Sequence, residues 1–201
     1  MAISLLYSPL MRIITFDIET SNIFTDVGSN DPSALSIAIV GIHDSKTGEY
    51  SSYTEGELSN LWSVLTHSDM LVGYNSDHFD IPLLNKYYPG DLASIKSLDL
   101  LKEIYSSLGR RIRLDAVAEG TLGERKIGHG LQALEWWNNG EVERVREYCL
   151  KDVEITKKIF EYALEHGKLL YKELGKTKEV PLDTSSWLEK KETSLTHTLG
   201  F

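Results

Sequence analysis

Cysteine is nearly absent from this chain of 201 residues: Cys149 is the only one. A disulfide framework is therefore excluded, as is a structural zinc site built from several thiolates, and a reducing, cytoplasmic setting is expected. Apolar runs are short, and none approaches the roughly 18 residues that a membrane-spanning helix needs. The N-terminal "MAISLLYSPL" lacks a basic region and reads as a short leading strand or a lead-in, not as a signal peptide. Positive charge is scarce as well. There are 21 Lys and Arg against 30 Asp and Glu, which leaves a net charge of −9. Such an acidic balance argues against broad electrostatic binding of nucleic acid, so any contact with phosphate has to be local. No internal repeat or low-complexity block is present.

Hydrophobic content of 41% and charged content of 25% suit one globular domain with a full core and some appendage. The first half alternates strand and helix patterns. Residues 13–20 read as a strand, 33–44 as a second, and "EYSSYT" as its hairpin partner across the turn sequence "SKTG". "EGELSNLWSVLTH" places Leu58, Leu61, Trp62 and Leu65 at helical spacing. "DMLVGYN" and "IKSLDL" read as short strands, with a helix in "HFDIPLLNKYY" between them. The second half is helical over 114–122, 131–137 and 142–164. This pattern predicts an α/β fold, a mixed β-sheet flanked by α-helices with a helical second half. The expected boundaries are a lead-in over 1–10, a domain over 11–167 and a polar, weakly patterned C-terminal extension over 168–201.

Acidic residues stand where acids are costly. "FDIET" ends the first strand, and Asp17 and Glu19, two apart, share one of its faces. Two carboxylates side by side at the edge of a core repel each other and lose hydration. On the last helix, Val142, Val145, Cys149, Val153, Thr156, Ile159, Phe160 and Ala163 form an apolar stripe. Tyr148 and Asp152 flank that stripe, four residues apart and so on one side of the helix. Asp80, in "GYNSDHFDIPLL", falls between a strand and a helix, at the kind of strand end where α/β sheets bind ligands. A cap at the helix start is the alternative role for Asp80. One arrangement accounts for all four acids. If they converge on hard divalent cations, which prefer carboxylate oxygen, the repulsion is neutralised. Two such ions would cancel four of the nine excess negative charges.

Taken together, "FDIET", "GYNSDHFD" and "YCLKDVEIT" resemble the three exonuclease motifs of the DnaQ-like 3′→5′ exonucleases of the ribonuclease H-like superfamily. The similarity is greatest to the proofreading domain of B-family DNA polymerases and to standalone predicted exonucleases related to it. It spans about residues 12–165 and comprises Asp-x-Glu, Asn-x3-Phe-Asp and Tyr-x3-Asp in the family's order. Two internal decoys lack the geometry. Asp152 and Glu154 repeat the first spacing on a helix, where residues two apart do not share a face. Tyr87 and Asp91 repeat the third across Pro89-Gly90, which forbids a helix.

The resemblance implies a metal-dependent 3′→5′ exonuclease acting on the 3′ end of single-stranded DNA or RNA and releasing 5′-mononucleotides. Asp17, Glu19 and Asp152 would hold one Mg²⁺ or Mn²⁺ ion, with Asp17 bridging to a second that Asp80 supports through water. Tyr148 would aim the attacking water. A sister subclass has a histidine five positions before the last Asp; Glu147 stands there, which places this chain with the tyrosine (DEDDy) subclass. The family pattern also points to Thr20, Ser21, Asn22, Ile23 and Phe24 as contacts to the terminal nucleotide, and Asn75 is a candidate contact or turn former. Arg110, Arg111, Arg113, Arg125 and Lys126 form the densest basic group and are candidate phosphate contacts. Of Trp136 and Trp137, one is expected in the core with Leu131 and Leu134, and the other is a candidate platform for a base or a protein. A polymerase or a helicase is a candidate partner. The competing readings are an endonuclease of the wider superfamily, a catalytically silent binding module on the same fold, and acids that bind no metal.

Overall fold

The computed structural model describes residues 11–124 and 130–189. The lead-in over 1–10, the candidate contacts Arg125 and Lys126, and the tail beyond 189 lie outside the described residues. Five strands form the central sheet: β1 (Ile13–Thr20), β2 (Ile37–Asp44), β3 (Glu49–Thr54), β4 (Met70–Gly73) and β5 (Lys96–Asp99). Their spatial order is β3-β2-β1-β4-β5. The β1–β2 and β2–β3 pairs are antiparallel, whereas β1–β4 and β4–β5 are parallel. Residues 45–48 make the turn between β2 and β3, as "SKTG" predicts.

The helices are α1 (Phe24–Val27), α2 (Trp62–Thr66), α3 (Asp80–Asn85), α4 (Leu100–Leu108), α5 (Leu114–Leu122), α6 (Gly130–Asn138) and α7 (Val142–His166). The segment from Glu55 departs from the single helix that its spacing predicts. Glu55–Asn60 is a 3-10 helix, followed by the short α2. The Glu57 carboxylate accepts hydrogen bonds from the backbone N–H of Thr54 at 2.8 Å and from its hydroxyl at 2.9 Å, which tightens the first turn. Leu58, Leu61 and Leu65 still reach one core, so two short helices satisfy the same periodicity.

The alternation of β1 sorts the molecule into layers. Ile14, Phe16 and Ile18 enter the core on one side of the sheet, with Leu61, Leu65, Leu83 and Leu84. Ile13 points to the opposite side, which Ile155, Ile159 and Phe160 of α7 cover. By the same period, Asp17 and Glu19 face α7. Asp17 is paired across the ladder with Gly41 of β2. A Cβ at Gly41 would stand 2.9 Å from Cys149 Sγ and 3.2 Å from a Val153 methyl. The glycine thus lets α7 settle directly on the strand pair, one turn from Asp152.

Residues 168–189 are not the polar extension that their composition suggests. They form a hairpin, β6 (Lys168–Glu173) and β7 (Lys176–Pro181), which returns to the body of the fold. Leu169, Tyr171, Val180 and Trp187 are buried in the α7-side core, and the Trp187 ring stacks on Phe160 with centroids 5.9 Å apart. Gly120 of α5 permits this docking, because a Cβ there would fall 2.4 Å from the Tyr171 Cα. Thr121 and Leu170 then hydrogen-bond reciprocally, at 2.6 and 2.9 Å. Four apolar side chains spread over some 20 residues carry too weak a period to read as core.

Two outcomes test this packing. Trp187→Ala should cost about 3 kcal/mol of unfolding free energy in urea denaturation, because it empties a buried aromatic site; a cost under about 0.5 kcal/mol, the range of an ordinary surface change, would show that the hairpin is not part of the core. Gly41→Val should cost about 1–3 kcal/mol by overpacking the seat of α7. An unchanged denaturation midpoint for that variant would contradict the close approach.

Candidate active site

Three carboxylates meet where α7 crosses β1. Asp17 and Glu19 come from the strand and Asp152 from the helix, and one oxygen of each lies within 4.8 Å of the others. Asp152 is only 3% exposed. Concentrating three negative charges at the margin of a core is unfavourable unless a positive charge stands among them. An all-oxygen donor set at this separation fits a hard divalent cation and is a poor match for softer metals, which prefer thiolate or imidazole. Cys149 lies against the group, with Sγ 3.4 Å from the Asp17 carbonyl oxygen and 3.8 Å from its carboxylate. Burial pushes the Cys149 thiol well up from its ordinary range, and the charges of Asp17, Glu19 and Asp152 push the same way. The side chain packs in a small core cluster with Ala38, Ile39 and Val145.

Asp80 is the first residue of α3 and is 5% exposed. It stands outside the tight trio. Burial raises its pKa well above the usual carboxylate range, and the charge of Asp17 adds to the rise, while the amides of Asp80 itself and Ile18 oppose it. The cap position of α3 is Phe79, so Asp80 is not the helix cap. Tyr148 lies one turn before Asp152 on the buried face of α7. Trp136 of α6 meets the Tyr148 ring edge-on, with centroids 5.9 Å apart, and the Arg144 guanidinium covers Trp136 at 4.4 Å.

A cavity of about 650 Å³ opens beside the acids. Glu19, Thr20, Ile23, Phe79, Arg113 and Leu131 are among its lining residues. Of the remaining candidates that follow the first motif, Ser21 donates its N–H to the Ser36 carbonyl at 2.9 Å, and the Asn22 side chain accepts from the Ser36 N–H at 2.9 Å. Those bonds fix the chain's exit from β1. Phe24 packs edge-on against Phe79 at 6.2 Å and does not line the cavity. Leu131, expected in the core, is 65% exposed and lines the cavity. Both Trp136 and Trp137 are half-buried against Ala38, Ile39, Ala133 and Val145. Helix α6 meets β2 and α7 through its tryptophans and turns Leu131 and Leu134 toward the cavity.

Asn75 adopts a positive φ of 68°, the turn-forming conformation. Asp99, at the end of β5, holds that turn. Its carboxylate accepts from the N–H groups of Asn75 at 2.7 Å, Asp77 at 3.2 Å and Leu101 at 2.9 Å. Burial raises the Asp99 pKa, and those backbone bonds partly offset the rise. Sequence reasoning missed Asp99 and Phe79. "FD" at 79–80 offered a signal for Phe79; Asp99 in "SLDLLK" read as an ordinary strand end. The basic residues divide. Arg111 donates to the Asn75 side chain, and Arg113 borders the cavity. Arg110 is bound to Glu173 at 2.7 Å and to the Tyr171 hydroxyl at 2.9 Å, on the C-terminal hairpin.

Comparison with known proteins agrees with this architecture. The chain resembles the structure of the family B DNA polymerase from the hyperthermophilic archaeon Pyrobaculum calidifontis, with 24% identity and a TM-score of 0.59. That likeness covers 77% of this chain and 24% of the polymerase, and it is a likeness of fold. No curated protein matches the sequence. A family model described as the RNase H superfamily matches residues 14–164, from the first strand to the end of the long helix. A mixed five-stranded sheet, with the acids of its central strand facing the last helix of that span, is the fold found here, and the chain belongs to the RNase H superfamily.

Proposed function

We propose that the protein is a metal-dependent 3′→5′ exonuclease that removes mononucleotides from single-stranded nucleic acid. One observation carries the reading: oxygens of Asp17, Glu19 and Asp152 lie within 4.8 Å of one another, and Glu19 lines the adjoining cavity. Asp17, Glu19 and Asp152 would hold one Mg²⁺ or Mn²⁺, and Asp17 with Asp80 a second. When bound there, such ions acidify water into a nucleophile and neutralise charge that develops on a phosphodiester. Asp80, buried and outside the trio, would support that second ion through water. Tyr148 lies on the same helical side as Asp152, so its hydroxyl orients the attacking water toward the phosphorus. Trp136 fixes the tyrosine ring, and Cys149 and Gly41 fix the height of α7 above the strand.

The cavity receives the terminal nucleotide. Ile23 and Phe79 offer apolar contact to the sugar and base, with Thr20 and Glu19 at the polar end. Ser21, Asn22 and Phe24 act from behind, by holding the lining segment in place. Asn75 shapes the strand's approach from the α3 side. We further propose a partner that presents 3′ ends, a polymerase or a helicase.

The reading is tested with 5′-labelled single-stranded DNA and RNA. In Mg²⁺ or Mn²⁺ the wild-type chain should produce a ladder shortening from the 3′ end, absent in EDTA and absent for Asp17→Asn. Internal cuts of a circular substrate would indicate an endonuclease, and no cleavage of either polymer would leave a binding module. Tyr148→Phe keeps the ring packing and removes the hydroxyl. Its single-turnover rate should fall by about a hundredfold or more, in line with the contribution of a positioned proton-handling group. A rate within twofold of wild type would remove Tyr148 from the chemistry.

A further inference from the structure

We infer that Arg111 and Arg113 form a clamp for the backbone phosphates of the bound strand; this rests on the reading of the cleft as a nucleic-acid site. Among the described arginines, Arg12, Arg110, Arg144 and Arg146 each pair with a carboxylate. Arg111 and Arg113 have no carboxylate within ion-pair distance among the described residues. The chain is acidic, with 30 carboxylate side chains, so two guanidiniums flanking Ile112 that pair with no described carboxylate are conspicuous. Both are exposed, and Arg113 lines the cavity together with Glu19.

The segment that bears them is built to hold them there. Ile112, between the two, is buried in the α7-side core. Its carbonyl accepts a hydrogen bond from the Tyr74 hydroxyl at 2.7 Å, which ties the segment to the end of β4. Arg113 is extended, with φ −76° and ψ 148°, immediately before α5. With Ile112 turned inward, its two neighbours turn outward. Arg113 borders the cavity together with Glu19. Arg111 reaches the Asn75 side chain, on the turn that leads to Asp80. The two guanidiniums thus bracket the cleft from the cavity to the α3 side.

Guanidinium presents a planar fork of donors that matches two phosphate oxygens, and it keeps its charge at any working pH. The acids repel a polyanion, so a local cationic clamp is what a strand needs to approach them. Arg111, with one donor already engaged by Asn75, couples phosphate binding to the turn before α3. Arg110 contributes nothing to the clamp, since Glu173 and Tyr171 occupy its fork.

Binding without cleavage tests the clamp apart from the chemistry. Fluorescence anisotropy with 5′-labelled single-stranded DNA and RNA, in EDTA over a sodium chloride series, gives the slope of log affinity against log salt. Each phosphate contact contributes about 0.7 to that slope on a single strand. Arg111→Ala and Arg113→Ala should each lower its magnitude by about 0.7, and the double variant by about 1.4. A double lysine variant should restore most of the slope, because the charge is kept. Lys46→Ala, on the β2–β3 turn at the far end of the sheet, should leave the slope at the wild-type value. The clamp is overturned if the double alanine variant keeps the wild-type slope, if Lys46→Ala lowers it equally, or if the wild-type chain binds neither polymer. A reduced slope with no ladder in Mg²⁺ would sink the exonuclease reading alone, and a ladder with an unchanged slope would sink the clamp alone.

Discussion

Everything at this site depends on how closely α7 approaches β1. The missing side chain at Gly41 lets Cys149 and Val153 rest on the strand pair. Asp152, one turn along from Cys149, is thereby delivered to Asp17 and Glu19. Apolar packing along Val145, Val153, Ile155, Ile159 and Phe160 holds the helix down against the repulsion of the three acids. Burial of that face is worth several kcal/mol at about 25 cal/mol per Å² of apolar area. A cation bound among the three carboxylates would offset their mutual repulsion.

Two further buried acids stand outside the trio. Asp80 is buried behind it, with its pKa raised by desolvation and then by Asp17. Asp99 is also buried and raised, yet three backbone amides satisfy its carboxylate. Asp99 thus fixes the turn before α3, whereas Asp80 lies in the field of Asp17. The same contrast separates the arginines. Four are committed to structural pairs, and Arg111 and Arg113 pair with no carboxylate among the described residues.

Much of this was legible in the sequence because it rests on short-range periodicity. Alternation along "IITFDIET" puts Asp17 and Glu19 on one face, and the four-residue step puts Tyr148 beside Asp152. The sheet and its hairpin followed from apolar runs and "SKTG". Other features depend on contacts between distant segments and had no local signature. The C-terminal hairpin is core because Gly120 lets Tyr171 approach and Phe160 meets Trp187. Leu131 faces a cavity because the tryptophans, not the leucines, fix α6. Arg110 and Arg111 are neighbours in sequence, yet one belongs to Glu173 and the other to Asn75.

The central claim is that the acidic trio is a cation site. Its most direct test is the thermal midpoint of the wild-type chain and of Asp152→Asn, each measured in EDTA and in saturating Mn²⁺. A ligand that binds only the folded state at a hundred times its dissociation constant adds about 2.7 kcal/mol of stability. The account predicts that Mn²⁺ raises the wild-type midpoint by several degrees and that Asp152→Asn responds little to the metal. A wild-type midpoint unmoved by Mn²⁺, or an equal rise in both proteins, would contradict it.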